Sequence, residues 1–204
     1  MPADALNHGE DNLEAVLSVV DLVNVGFVPQ KHLLTTVVDK IKLNYDHSKV
    51  AFTVDIGNNE RCTGGLKDMN TGKIDLDIKL KDISAIEFAK NDNLIFVELD
   101  DHNRPYNVKR KNLCTLEEQS LLVDDDPTHY IDISLSKDKE FIFINSATKE
   151  DSEIWVIDNR EGNENFTPKL LLPRQKDVRI HIEHVRDFFM KISNNDSSSK
   201  NFKL

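Results

Sequence analysis

The 204-residue chain has few of the residues that mark several protein classes. Two cysteines, Cys62 and Cys114, are too few for a disulfide scaffold, and we interpret them as reduced thiols of a cytoplasmic protein. No apolar run approaches 18 residues and the start lacks a basic flank, so neither a transmembrane helix nor a secretory signal is predicted. Basic residues are fewer than acidic ones, 26 against 36, which disfavours nucleic acid and anionic membranes as partners.

Catalytic motifs are missing as well. None of the seven glycines belongs to a G-x-S-x-G, G-x-x-x-x-G-K or G-x-G-x-x-G motif. His181 and His184 lie three residues apart in a strand-like segment, so they are expected on opposite faces, without a shared metal ion. Asp124–Asp126 and the mixed-charge segment 100–110 are interpreted as solvated connections, with cation binding as the alternative for the first and a recognition loop as the alternative for the second. We therefore predict no catalytic, cofactor-binding or metal-binding residue in this chain.

What the sequence does contain is a repeat. Asp46, Asp92 and Asp138 lie 46 residues apart, and each follows a segment of alternating apolar residues. Each aspartate also precedes a continuous apolar run. These runs are Val50–Val54, Leu94–Val97 and Phe141–Ile144. A fourth copy begins near residue 178 and has Asp187 in the turn position.

A second turn signal recurs within the repeat. Asp68 with Gly72, and Asp158 with Gly162, form Asp-x-x-x-Gly patterns, which are typical of turns. The segments "DLDIKL", "EQSLLVDD" and "PKLLLP" are predicted as outer strands. Four short strands in a period of this length, with middle strands that are continuously apolar, indicate propeller blades. The fold prediction is therefore all-β: a partial β-propeller of about three to four four-stranded blades, with a β-sandwich as the alternative.

The predicted blades span 37–80, 83–124, 130–172 and, in part, 178–204. Residues 1–36 form a lead-in segment, in which 13–24 are either an amphipathic helix or a strand and end before Gly26 and Pro29. The pair Gly64-Gly65 lies inside a predicted strand and is expected to mark a bulge or a weak strand. Trp155 lies in an apolar run and is predicted to pack between blades.

Several of these segments resemble one known family. "DKIKLNYDHSKVAFTVD" resembles the first propeller blade of the prolyl oligopeptidase family, and "DDHNRPYNVKRKNL" resembles a segment of its oligopeptidase B branch. "DISLSKDKEFIFINSATKEDSEIWVID" followed by "LLPRQKDVRIHIEHVRDFF" resembles the next blades in that branch and in prolyl endopeptidase-like proteins. The resemblance covers residues 13–204 in unbroken order. The chain also departs from the pattern at Gly64-Gly65, where bulkier residues usually stand.

The resemblance implies serine hydrolases in which a seven-bladed propeller covers an α/β-hydrolase domain with a Ser-Asp-His triad. The propeller restricts access to short peptides or small esters. No triad position is matched, so the α/β-hydrolase domain is expected to be absent from this chain and to be its partner, and the chain is expected to be inactive alone. The alternative is a non-enzymatic β-repeat module for protein interactions.

Overall fold

A computed structural model describes residues 15–194 of the chain. These residues form one α-helix, α1 (Val19–Asn24), a 3-10 turn at Gln30–His32, and thirteen β-strands. The strands are β1 (Val37–Leu43), β2 (Lys49–Asp55), β3 (Cys62–Asp68), β4 (Ile74–Ala89), β5 (Asn93–Leu99), β6 (Pro105–Asn112), β7 (Glu118–Val123), β8 (Tyr130–Leu135), β9 (Phe141–Ala147), β10 (Ser152–Asp158), β11 (Lys169–Leu172), β12 (Ile180–Val185) and β13 (Phe188–Ser193).

All strand neighbours are antiparallel and consecutive in the chain. Strands β1–β7 form one seven-stranded sheet, β8–β11 a four-stranded sheet, and β12–β13 a hairpin. Within the large sheet, β1–β3 and the first half of β4 make blade 1, and the second half of β4 with β5–β7 makes blade 2. Strands β8–β11 make blade 3, and β12–β13 are the first two strands of a fourth unit. The predicted four-stranded repeat is present in the described part of the chain.

Strand β4 differs from the prediction, because "DLDIKL" is the first half of a 16-residue strand rather than a separate outer strand. Ile83 pairs with Cys62 of blade 1 on one side and with Glu98 of blade 2 on the other. Asp82, with φ of +54°, bends the strand just before this point. One strand thus serves as the outer strand of blade 1 and the inner strand of blade 2 without a loop between them.

The repeated aspartates lie in the first hairpin of each unit, as predicted. Asp46 accepts hydrogen bonds from the backbone N–H of Ser48 at 2.9 Å and from its hydroxyl, and Asp138 accepts one from the backbone N–H of Glu140 at 3.1 Å. Asp92 differs, because its carboxylate pairs with Lys49 of blade 1 at 2.8 Å. The aspartates therefore fix both hairpin shape and blade contact, since short polar side chains can replace missing backbone partners in turns.

The Asp-x-x-x-Gly turns are also confirmed. Asp68 accepts a hydrogen bond from the Thr71 backbone N–H at 2.7 Å, and Gly72 follows with φ of +71°. Gly162 has φ of +81° in the corresponding turn of blade 3. Glycine adopts this left-handed conformation without the steric cost that a Cβ atom brings.

Strand β9 shows why the middle strands of a blade carry continuous apolar runs. Ile142 and Ile144 are buried in the cluster that joins blades 2 and 3, whereas Phe141 and Phe143 are buried against Val178 and Ile180 of the fourth unit. Successive strand residues point to opposite faces, so a strand covered on both faces needs apolar residues at every position. Trp155 packs, partly buried, against the cluster between blades 2 and 3, which confirms its predicted place.

Of residues 13–24, for which a helix and a strand are the two predicted alternatives, Val19–Asn24 form the helix α1. Ser18 caps α1 by accepting a hydrogen bond from the Asp21 N–H at 3.1 Å, and Gly26 turns the chain with φ of +79°. Leu13 and the rest of residues 1–14 lie outside the described residues. Behind the helix, the buried Phe27 meets Phe52 edge-on at 5.2 Å and covers the outer face of blade 1.

The glycine pair in β3 is what allows that cover. The pairing of β3 with β4 shifts register on both sides of Gly64, which confirms the predicted bulge. A Cβ atom on Gly65 would lie 2.4 Å from Phe52 Cζ and 2.7 Å from Phe27 Cζ. Glycine at this position, in place of the bulkier residue expected from the resemblance, therefore leaves room for two buried rings. Blade 1 forms with these rings packed against the pair.

Candidate interaction face

One end of the blades carries several contacts that cross from blade to blade. In each antiparallel unit the turn between the first and second strands and the turn between the third and fourth lie at the same end. We call this end the turn face. It is formed by the connections 44–48, 69–73, 90–92, 113–117, 136–140, 159–168 and 186–187.

Tyr45 links three blades on the turn face. From the first hairpin of blade 1, its hydroxyl donates to the Lys139 carbonyl of blade 3 at 3.1 Å and accepts from the side-chain amide of Asn159. Asn159, 1% exposed, in turn accepts from the Lys90 N–H of blade 2 at 2.9 Å. Burial raises the pKa of Tyr45; Asn159 opposes the rise and Glu87 adds to it. The hydroxyl is therefore held neutral as a structural donor and acceptor.

Two lysines flank the same ring. The Lys90 ammonium lies 4.1 Å from the Tyr45 ring centroid and 3.2 Å from a Glu161 carboxylate oxygen, and the Lys139 ammonium lies 5.3 Å from the ring. A cation over an aromatic face is attracted by the ring's electron density. The cavity beside Tyr45 has a volume of about 490 Å³ and carries charges of both signs. This geometry suits contact with a polar surface rather than covalent catalysis.

The inner strands of blades 1 and 2 are joined by a partly buried ion pair. Lys42 on β1 binds Glu87 on β4, whose side chain is only 7% exposed. Lys40 donates to the Ser84 carbonyl at 2.5 Å. Burial raises the pKa of Glu87, with Lys42 opposing the rise. The pair fixes the spacing of the two inner strands.

The opposite end of the blades contains the segments left open by the sequence. Arg104 of the 100–110 segment pairs with Asp100 at 3.0 Å and donates to the carbonyls of Asp124 and Asp126, each at 2.9 Å. This arginine is therefore used within the fold. Asp124 is not merely solvated, because its carboxylate accepts from the Ser146 hydroxyl at 2.6 Å, and it also pairs with a histidine.

The two histidines of β12 differ in surroundings, as their spacing predicted. His181 is exposed, whereas His184 is buried, with its ring 4.5 Å from that of Phe141. His184 Nδ1 lies 2.5 Å from an Asp138 carboxylate oxygen and 4.0 Å from one of Glu140. The ring nitrogen and the two carboxylates are close enough to approach one cation. Hydrogen bonding between His184 and Asp138 already satisfies both groups and ties the fourth unit to blade 3.

Asp138 holds its charge through this arrangement. Burial acts to raise its pKa, but hydrogen bonds from Ser136, the Glu140 N–H and His184 together bring the pKa below its ordinary value. Hydrogen bonds to a carboxylate favour the ionised form. Sequence reasoning identified this aspartate as a turn residue and missed its histidine partner, which comes from the next unit.

The stacked four-stranded units, each covered by its neighbours, define the chain as a β-propeller domain. Among residues 15–194, no helix is long and apolar enough to cross a membrane. In structural comparison, oligopeptidase B from Leishmania major has a TM-score of 0.79 at 22% identity, covering 95% of this chain and 27% of that one. That likeness concerns the fold.

Sequence comparison identifies the family. Residues 31–204 match the family described as "Prolyl oligopeptidase, N-terminal beta-propeller domain". "Protease 2" of Moraxella lacunata is 28% identical over 170 residues, 80% of this chain and 24% of that protein. "Prolyl endopeptidase-like" of Gallus gallus is 29% identical over 154 residues, 72% of this chain and 20% of that protein. The chain thus belongs to the prolyl oligopeptidase N-terminal propeller family, and it spans about a quarter or less of these relatives.

Proposed function

We propose that this chain is the substrate-gating propeller portion of a serine-type peptidase or esterase of the prolyl oligopeptidase family. Its partner in this proposal is an α/β-hydrolase domain, and the substrates are short peptides or small esters in the cytoplasm. The observation that carries the proposal is the family match over residues 31–204, a range that includes all thirteen described strands. A propeller supplies a rigid, polar end surface that can cover a second domain and limit what enters.

Blade packing supports such a role. The clusters between blades 1 and 2 and between blades 2 and 3 consist of fully or nearly fully buried side chains, so the blades form a stiff stack. The contacts of Tyr45 add a polar link across the turn face. A stiff stack can exclude large substrates by its shape alone, without a catalytic residue of its own.

A chimera tests the proposal directly. The segment of Moraxella lacunata Protease 2 that matches this chain would be replaced by the corresponding residues of the chain, with unmodified Protease 2 as the control. We expect the chimera to cleave short peptides and to spare long unfolded ones, whereas deletion of the segment removes this selectivity. A fluorophosphonate probe reports whether the hydrolase part has an activated serine. A labelled chimera that cleaves long and short substrates equally would contradict the gating role.

The alternative function is that of a non-enzymatic interaction module. Exposed apolar residues on the inner strand β1 support this alternative. Val37, Ile41 and Leu43 are 54%, 47% and 50% exposed. Such a module would form a stable dimer or bind another protein through this strand. Sedimentation of the chain alone separates the two functions: a stable dimer supports the module, and a monomer with a selective chimera supports the gate.

A further inference from the structure

Arg110 on β6 stands out among the arginines of the described residues. Arg61, Arg104 and Arg174 are, like Arg110, only partly exposed, and each forms an ion pair with an aspartate. Within residues 15–194 the Arg110 guanidinium has no carboxylate or carbonyl partner, and its Nε is buried without a hydrogen bond. Its one described contact is with the ring of Phe166, at 5.2 Å. A partly buried cation without a counter-ion carries an uncompensated desolvation cost.

The neighbours of Arg110 in sequence make the contrast sharper. Lys109 pairs with Glu98 at 2.6 Å, and Lys111 pairs with Glu118 at 2.8 Å. These lysines point to the opposite face of blade 2, because successive strand residues alternate. Arg110 alone of the three points toward blade 3, where its carboxylate partner is missing.

A second unpaired group lies beside Arg110. Asn93 is 2% exposed, and its amide nitrogen donates to the carbonyls of Lys90 and Asn91, yet its Oδ1 has no partner in the described part of the chain. Asn93 and Arg110 share one blade face, since Arg110 is paired with Ile95, two residues along from Asn93. Diagonal neighbours on adjacent strands are within reach of one ligand. The site therefore offers an acceptor and a donor fork side by side.

Both residues line a cavity of about 450 Å³ between blades 2 and 3 on the turn face. The remaining lining residues are Asn91, Asn112, Gly162, Glu164 and Phe166. The last residue of a peptide carries a carboxylate and, next to it, an amide N–H. The guanidinium fork matches a carboxylate with two parallel hydrogen bonds, and a carbonyl oxygen accepts an N–H.

We propose that this cavity binds the C-terminal end of a short peptide, with its carboxylate on Arg110 and its last amide N–H on Asn93 Oδ1. Phe166 holds the guanidinium plane in place. The site lies within the propeller and does not depend on the proposed pairing with a hydrolase domain. Glu164 is the one carboxylate in the lining, and its negative charge opposes the binding of a carboxylate ligand there.

Isothermal titration of the full chain with acetyl-trialanine tests this assignment. We expect binding of the free acid and none of the matching C-terminal amide. Arg110→Gln should weaken binding about tenfold or more, because it removes a charged two-point contact. Arg186→Gln makes the same charge change at an exposed turn and should leave binding unchanged. Circular dichroism and thermal unfolding of both variants establish that each is folded.

Four results would overturn the assignment. Equal binding of acid and amide removes the carboxylate contact, and binding of inorganic phosphate in place of the peptide acid assigns the cavity to another ligand. Equal affinity of folded Arg110→Gln and the unaltered chain removes the arginine from the site. Glu164→Gln should bind the peptide acid at least as tightly as the unaltered chain, and weaker binding counts against the site as drawn.

Discussion

Replacing Gly65 by alanine should destabilise blade 1, although it adds a single methyl group. The added Cβ would lie 2.4 Å from Phe52 Cζ and 2.7 Å from Phe27 Cζ, and both rings are fully buried. Overpacking of this kind costs about 1–3 kcal/mol, and the reduced entropy of the unfolded chain returns about 0.4–1 kcal/mol. We therefore expect a net loss of about 1–2 kcal/mol, or roughly 2–8 °C in melting temperature for a domain of this size.

Urea and thermal unfolding of Gly65→Ala measure this loss, and Gly57→Ala is the matched control. Gly57 is exposed, and a Cβ there meets only the Asn59 side chain at 3.5 Å, so the control should be neutral or slightly stabilised. Introducing Phe27→Leu into the unaltered chain and into Gly65→Ala completes a double-mutant cycle, with an expected coupling between the two positions of at least about 0.5 kcal/mol. Equal stability of the two alanine variants, or no coupling, would refute the reasoning from ring contact.

Three further predictions concern single side chains. Tyr45→Phe should lower the free energy of unfolding by about 1–3 kcal/mol, because buried partners lose a hydrogen bond, whereas the exposed Tyr130→Phe serves as control; equal values contradict the link between blades. The exposed Cys114 should react with a thiol reagent at pH 7.5, while Cys62, whose pKa burial raises to about 11, should react only on unfolding. Asp138→Asn should reduce the free energy of unfolding at neutral pH, because the folded state holds the pKa of Asp138 below 3.8. The contribution of the charged carboxylate is lost as pH falls from 3.8 through the lower pKa of the folded state, so the difference between variant and unaltered chain should shrink there; a difference independent of pH argues against the charge.

The turns and buried strands could be predicted from the sequence because residues close by in the chain determine them. Asp46, Asp68 and Asp138 shape turns through groups two or three residues away, so their role is visible in a short window. The run Phe141–Ile144 was recognisable for a related reason, because burial on both faces removes the polar half of the strand pattern. The continuity of β4 was not predictable, since a polar stretch at residues 81–82 resembles a loop.

The residues of the two candidate sites escaped sequence reasoning because their meaning depends on distant partners. Tyr45 resembles an ordinary turn residue, and its amide partner Asn159 lies 114 positions away. Arg110 stands in a basic triplet that suggests solvated charge. Only the three-dimensional arrangement separates it from Lys109 and Lys111, whose acids are present. No local sequence pattern could show that Arg110 lacks a counter-ion within residues 15–194.

The long span closed by Tyr45 has a consequence for the order of folding. All strand pairing among residues 15–194 joins consecutive strands, so hairpins can form from short loops at small entropic cost. The contact of Tyr45 with Asn159 instead requires blades 2 and 3 to be in place first. We expect the Tyr45 contacts to form after the rate-limiting step, so that Tyr45→Phe has a φ-value near zero and accelerates unfolding rather than slowing folding. The tyrosine would then contribute to kinetic stability, because its contacts slow the unfolding of the stacked blades once they have assembled.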